Sequence, residues 1–149
     1  MKKIILVAAA ILGFAIAATA QPRAVGIKIG NGLEGSYQHS FGSNFVEADL
    51  GLYAFNSLSV AGTYNFMLGQ PEWTTTGEWG IYAGPGAAIG CGSGFFHAAV
   101  AGQVGIEYTF DFPLQLSFDL RPQIGAVMAS SVSAFYYDII PSLGIRYKF

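Results

Sequence analysis

Residues 96–110, FHAAVAGQVGIEYTF, alternate between two sets of side chains. The first set is apolar, and the second is mainly polar or small. The first set is Phe96, Ala98, Val100, Gly102, Val104, Ile106, Tyr108 and Phe110, and the second includes His97, Gln103, Gly105, Glu107 and Thr109. A period of two is typical of a β-strand, whose successive side chains point to opposite faces. This stretch therefore predicts a long strand with one face that is apolar throughout.

The same alternation recurs in residues 46–54, 58–66 and 114–121. The face opposite the apolar one carries mainly Gly, Ser, Thr, Asn and Gln with a few charges, whereas a soluble sandwich would cover it with Lys, Glu and Asp. Only 11% of the chain is charged and 52% is hydrophobic, although soluble domains usually carry about a quarter charged residues. A closed barrel in lipid accounts for both faces and leaves no strand edge.

Eight strands are predicted, and most are joined by short segments rich in Gly, Asn, Asp or Pro. The predicted strands are 24–30, 33–41, 44–55, 58–68, 79–91, 95–110, 114–127 and 136–149. The predicted turns are Asn31-Gly32, Gly42-Ser43, Asn56-Ser57, Gly92 to Gly94 and Asp111 to Pro113. The fold class is therefore all-β, an eight-stranded antiparallel transmembrane β-barrel.

The first twenty residues have the features of a signal peptide. Lys2 and Lys3 precede an apolar run, Ile4 to Ala18, and Ala18-Thr19-Ala20 is a small-x-small cleavage site. The alternative is a retained membrane anchor, for which the apolar run is short. Two segments are predicted: a signal peptide at 1–20 and a barrel domain at 21–149, whose length of about 129 residues suits eight crossings of about 9 to 11 residues. Cys91 is too far from the cleavage site for a lipoprotein signal.

The last strand is the most specific signal, because Leu143, Ile145, Tyr147 and Phe149 alternate with polar or small residues and the chain stops on the aromatic. Tyr147 and Phe149 form a C-terminal signature characteristic of outer-membrane barrels. Four segments resemble the small outer-membrane β-barrel proteins of Bacteroidetes, a family whose members are mostly uncharacterised. These segments are Tyr82 to Gly86, Ala101 to Tyr108, Pro113 to Pro122 and Gly144 to Phe149. The resemblance implies the fold and an outer-membrane location in a Gram-negative bacterium.

Two features depart from usual barrel architecture. The longest predicted connection, Gly69 to Glu78, falls on the periplasmic side if the N-terminus is periplasmic, although those turns are normally short. Prolines 85, 122 and 141 lie inside predicted strands, where we expect bulges or strand ends.

Strand parity places seven charged residues on the inward face: Lys28, Glu47, Asp49, Glu107, Asp119, Arg121 and Arg146. An eight-stranded barrel is filled by its side chains, so these charges must pair or meet trapped water. A structural ion network is the favoured interpretation. A proton or solute path needs a wider lumen, which disfavours a general porin.

Candidates for catalysis are few. His39 and Ser40 are adjacent in a strand and point to opposite faces, so they cannot pair directly. His97 faces inward and could reach a carboxylate across strands, as a lipid-modifying enzyme would require near a rim. Two histidines and one cysteine have no metal-ligand spacing, and the glycines at 84–86 and 90–94 lack the Lys-Ser or Lys-Thr of a phosphate loop. We expect no catalytic residue, no metal and no cofactor.

Aromatic residues cluster near the predicted strand ends, where interfacial girdles belong. They are Trp73, Trp79, Tyr108, Phe110, Phe135, Tyr136, Tyr137, Tyr147 and Phe149. The expected partners are outer-membrane lipids and, through the C-terminal strand, the barrel assembly machinery, and no nucleic acid. An envelope protein partner stays open.

Three functions stay open at this point. The first is a non-enzymatic structural or envelope-stabilising barrel. The second is a barrel that binds or transports a small hydrophobic molecule through an opening between strands. The third is a lipid-modifying enzyme, which requires His97 or His39 beside an acid and a hydroxyl.

Overall fold

The computed structural model describes residues 22–53 and 57–149, so the predicted signal peptide lies outside the described residues. Every strand pairs antiparallel with its sequence neighbour, and β1 also pairs with β8, which closes the sheet. The strands are β1 (Pro22–Ile29), β2 (Leu33–Phe41), β3 (Asn44–Tyr53), β4 (Ser57–Gly69), β5 (Glu78–Gly92), β6 (Phe95–Thr109), β7 (Leu114–Ala129) and β8 (Val132–Lys148). The predicted all-β fold of eight antiparallel strands is confirmed. Among the residues described, no helix is long and apolar enough to span a membrane.

The strand boundaries differ from prediction mainly in β8. This strand begins at Val132 instead of residue 136, because Ala129 pairs with Val132 across a two-residue turn. Residues 132–134 carry little hydrophobic contrast, so periodicity did not reveal the pairing. The hairpin at Asn31-Gly32 is confirmed by the pairing of β1 with β2. Asn56 of another predicted turn lies outside the described residues.

Three prolines, Pro85, Pro122 and Pro141, lie within β5, β7 and β8, and the prediction of bulges or strand ends at them is wrong. The cross-strand register is the same on both sides of Pro85 and of Pro122. Each proline removes one N–H donor, but the pairs around it hold the register. The register shifts lie elsewhere, at Pro22/Ala24 in β1 and Met67/Gly69 in β4.

The shear of the ring follows from its cross-strand pairs. A path of paired residues that starts at Ile29 and passes once around the ring reaches Ser133 on β8, whereas Ile29 pairs directly with Leu143. The path is Ile29, Leu33, Leu52, Leu58, Cys91, Phe96, Met128 and Ser133. The offset of ten residues, with ordinary strand spacing and rise, gives a strand tilt of about 40° and a backbone radius of about 8 Å. Side chains can fill such an interior.

The distribution of polar side chains is inverted relative to a soluble domain. Among the described residues, nineteen buried side chains are polar or charged and nine are hydrophobic, whereas thirty large hydrophobic side chains are exposed. Val100 is 69% exposed and Ile124 is 60% exposed, both on the outer face. The outside of the ring is therefore apolar and its inside polar.

The two ends of the ring differ in whether β1 and β8 are paired there. The first end, where they are paired, is called the closed end. It carries Arg23, the C-terminus and the segments 42–43, 70–77 and 110–113. The second, here the open end, carries the turns 30–32, 93–94 and 130–131. β1 pairs with β8 from Ala24–Lys148 to Ile29–Leu143. Within the described residues, no strand covers the β1-facing side of residues 132–142, so the wall is notched at the open end.

Candidate functional site

Lys28 lies at the centre of the interior, where three carboxylates surround it. Its Nζ lies 2.7 Å from Glu47 Oε1, 3.1 Å from Asp49 Oδ2 and 3.6 Å from Asp119 Oδ2. The side chain of Lys28 is fully buried. Because an unpaired buried charge is costly, each of these ions depends on the others.

Two arginines extend the network toward other strands. Arg121 Nη2 lies 2.5 Å from Glu34 Oε1, and its Nη1 lies 3.0 Å from Asp49 Oδ2. Arg146 Nη2 lies 2.9 Å from Glu47 Oε2. Asp49 and Glu47 are therefore each shared by Lys28 and one arginine, which links the cations in a continuous network.

Neutral side chains donate further hydrogen bonds to two of these carboxylates, those of Glu47 and Asp119. Gln103 Nε2 donates to Glu47 Oε1 at 2.9 Å and to Asp119 Oδ1 at 3.1 Å, and Gln38 Nε2 donates to Glu47 Oε2 at 2.6 Å. The hydroxyl of Tyr82 also donates to Asp119. The interior is thus a hydrogen-bonded network that fixes the rotamers of its charged groups.

A second cluster lies nearer the closed end. Arg23 pairs with Glu107 and donates to Gln38 Oε1 at 3.0 Å, while its guanidinium lies 4.0 Å from the ring centroid of Phe45. Gln115 Nε2 donates to Glu107 Oε2 at 3.2 Å. All seven sequence-predicted interior residues therefore lie inside the ring and take part in ion pairs.

Sequence reasoning missed two charged members of the network. Glu34 has the parity of the other inward residues of β2, which could have identified it once the first hairpin was assigned. Arg23 turns inward beside the register shift at Pro22/Ala24, and no sequence periodicity signals that shift.

The centre of the ring is filled. The side chains of Lys28 and Glu47 are 0% exposed, and those of Arg121 and Asp49 are 2% and 3% exposed. A water-filled lumen would leave the side chains that line it accessible to water. The ion network therefore blocks the lumen at this level.

The two histidines lie at opposite ends. His39 Nδ1 is 3.1 Å from the Tyr37 hydroxyl, on the outer face near the closed end. His97 is at the open end, where its ring lies 6.1 Å from that of Tyr136 and over Gly90. Within the part of the chain that the structure describes, neither imidazole hydrogen-bonds to a carboxylate.

The remaining sequence candidates do not assemble into ligand sites. Across residues 22–53 and 57–149, no group of three His, Cys, Asp or Glu side chains is arranged to hold a metal ion. Gly84-Pro85-Gly86 is in the middle of β5, and Gly90 to Gly94 spans the end of β5 and a turn. Neither stretch precedes a helix, which a phosphate loop would require.

Aromatic rings surround the closed end. The ring centroid of Trp79 lies 5.3 Å from that of Trp73 and 4.8 Å from that of Tyr108. The ring centroids of Tyr108 and Phe110 are 4.7 Å apart. Loop 70–77 is held here because the Tyr108 hydroxyl donates to the Thr76 carbonyl at 3.0 Å. Tyr147 and Phe149, the predicted C-terminal signature, are 53% and 66% exposed.

At the open end, Phe135 and Tyr137 are on the outer face and are 90% and 67% exposed. Tyr136, which sequence reasoning placed in the same girdle, instead points inward because it lies between them in the strand. It lines a cavity of about 240 Å³ at this end of the ring. The cavity wall consists of Asn31, Ser57, Ser59, Phe95, His97, Gln123, Val127, Tyr136, Asp138 and Ile140.

The comparisons with protein-family models, curated proteins and solved structures found no match for this chain. The class that the fold and interior define is a closed eight-stranded antiparallel β-barrel with an apolar exterior and an ion-paired interior.

Proposed function

We propose that this protein is an integral outer-membrane β-barrel with a structural, envelope-stabilising role and no catalytic activity. The observation that carries the proposal is the inverted distribution of polarity, with ion pairs inside and large apolar side chains outside. Lipid is the solvent that such an exterior requires, because soluble monomers rarely expose apolar patches beyond a few hundred Å².

The aromatic residues support this placement. Rings at the closed end and the exposed pair Phe135 and Tyr137 at the open end bracket an apolar outer surface, as interfacial girdles do in barrels. A periplasmic N-terminus puts the closed end, with loop 70–77, in the periplasm. The proposed location also accords with the predicted signal peptide and with the resemblance to the barrels of Bacteroidetes.

The first experiment tests the membrane barrel itself. Purified outer-membrane fractions run on a gel without heating should show a band that shifts after boiling, because a closed barrel in detergent stays folded until heated. A soluble periplasmic protein without a mobility shift would contradict the membrane placement.

The second experiment tests the filled lumen. In planar bilayers the folded protein should give no steady ionic conductance, because the ion network leaves no water path through the ring. A general porin serves as the positive control under the same conditions. Stable open-channel currents from the purified protein would show a conducting lumen and contradict the structural role.

Small-molecule binding is a second candidate function, and the cavity at the open end favours it. Residues of β4, β6, β7, β8 and the turn 30–32 line this cavity, and the notch beside β8 lies at the same end of the ring. A lipid-modifying activity has no comparable support, because neither His97 nor His39 hydrogen-bonds to an acid among the described residues.

A further inference from the structure

The open-end cavity combines apolar walls with a tyrosine hydroxyl and a carboxylate. Val127 and Ile140 supply aliphatic surface, and the rings of Phe95, His97 and Tyr136 supply aromatic surface. His97 is roughly parallel to Phe95, at 18°, and nearly perpendicular to Tyr136, at 87°. The three rings therefore present both a face and an edge to a small occupant.

One buried polar atom at this cavity has no partner among the residues that the structure describes. The Tyr136 hydroxyl oxygen is buried and forms no hydrogen bond to residues 22–53 or 57–149. Buried hydroxyls are normally hydrogen-bonded, so Tyr136 has an unused donor beside the cavity.

Asp138 gives the cavity its charge. Asp138 Oδ1 accepts a hydrogen bond from its neighbouring Ile139 N–H at 2.8 Å. No ion pair joins Asp138 to a cation among residues 22–53 and 57–149, in contrast to the carboxylates of the central network. Arg121, the nearest interior arginine along the paired strand, is engaged by Glu34 and Asp49.

These features favour a positively charged ligand. A carboxylate without a cationic partner repels anions and attracts an ammonium group, and aromatic faces attract cations further. The volume of about 240 Å³ is below the range of about 300–1,000 Å³ of sites for drug-sized molecules. The occupant is therefore small, or only its end enters the cavity.

We propose that the open-end cavity binds a small organic amine with an apolar body, whose ammonium group meets Asp138 and whose body packs on Phe95, Tyr136 and Val127. This proposal deepens the second candidate function by naming the ligand class. It rests on the barrel fold and does not require that the barrel spans a membrane.

Three probes that share one ring and differ in charge test the proposal: benzylamine, benzyl alcohol and benzoate. Each is titrated at about pH 8 into the folded, isotope-labelled protein, with empty nanodiscs or buffer as the partition blank. Benzylamine should shift the amide signals of Gln123, Tyr136 and Asp138 and bind about tenfold more tightly than benzyl alcohol, since one charge-assisted hydrogen bond supplies about that factor. Benzoate should bind most weakly.

Variants assign the charge effect to one residue. Asp138→Asn keeps the shape and the acceptor for the Ile139 N–H, and it should reduce benzylamine affinity to that of benzyl alcohol. Glu72→Gln, which removes an exposed acid in loop 70–77, should leave all three affinities unchanged. Equal binding of benzylamine and benzyl alcohol by the wild-type protein, or a benzylamine affinity that Asp138→Asn does not lower, would overturn the proposal. A failed gel shift alongside selective benzylamine binding would reject the membrane placement and retain the site.

Discussion

Lys28→Met is expected to lower the free energy of unfolding of the barrel by about 3–5 kcal/mol, the usual cost of removing one partner from a buried ion network. Lys28 Nζ lies within 3.6 Å of three carboxylates and is fully buried. Methionine fills much of the same volume, so the loss reports the charge and not a cavity. When Lys28 is removed, the carboxylates of Glu47, Asp49 and Asp119 face one another. Arg121 and Arg146 are then the cations that remain in the described network.

The measurement is urea unfolding of the protein refolded into lipid vesicles, followed by the fraction that remains heat-modifiable on a gel. Lys148→Met is the matched control, because Lys148 pairs with Glu78 at 3.6 Å and the two side chains are 28% and 72% exposed. Exposed pairs contribute about 0–1 kcal/mol, so this variant should unfold close to wild type. If both lysine variants lowered the free energy of unfolding equally, burial of the network would contribute nothing to the stability of the barrel.

A double variant separates charge balance from packing. Lys28→Met combined with Glu47→Gln removes one cation and one carboxylate, and part of the lost stability should return. Coupling of about 1 kcal/mol or more is expected for residues in one network. Strict additivity would mean that Lys28 and Glu47 act independently.

Parity explains why much of the interior was predictable from sequence. Because side chains in a strand alternate between the two faces, one residue known to face inward places every second residue of that strand inside the ring. Glu47 and Asp49 on β3, and Asp119 and Arg121 on β7, were assigned in this way. The pairing of particular ions was not predictable, because it depends on the ten-residue stagger that sets which strands face one another across the interior.

The notch at the open end could not be predicted from the sequence either. Hydrophobic alternation in β8 continues from Phe149 back to Phe135 without marking where β1 stops, since both the covered and the uncovered parts of β8 have an apolar outer face. The notch follows from β1 ending its pairs with β8 at Leu143. Hydrophobic periodicity shows which side chains share a face of a strand. Where the pairing of two strands ends depends on the length of the neighbouring strand.

Gly84→Ala is expected to prevent closure of the barrel or to destabilise it by about 3 kcal/mol or more, at the upper end of the range for overpacking. A Cβ added at Gly84 would lie 1.7 Å from the Tyr64 carbonyl oxygen and 2.9 Å from the Asn65 Cα. Both atoms belong to the backbone of β4, so no side-chain rotation relieves the clash. The strands β4 and β5 would have to separate beside Pro85, where one ladder donor is already missing.

Gly62→Ala is the matched control for this substitution. Gly62 is also in the β4–β5 pair, opposite Ala87, but nothing lies within 4 Å of a Cβ added there. The same methyl group should therefore be accommodated on the outer face, with a heat-modifiable fraction equal to wild type. Both variants add one methyl group to the same strand pair, but only the one at Gly84 meets backbone atoms. A folded Gly84→Ala barrel as stable as Gly62→Ala would therefore show that β4 and β5 are not packed as closely as this register requires. Loss of the heat-modifiable band in Gly84→Ala alone would establish that the contact of these two strands beside Pro85 is a condition for closing the ring.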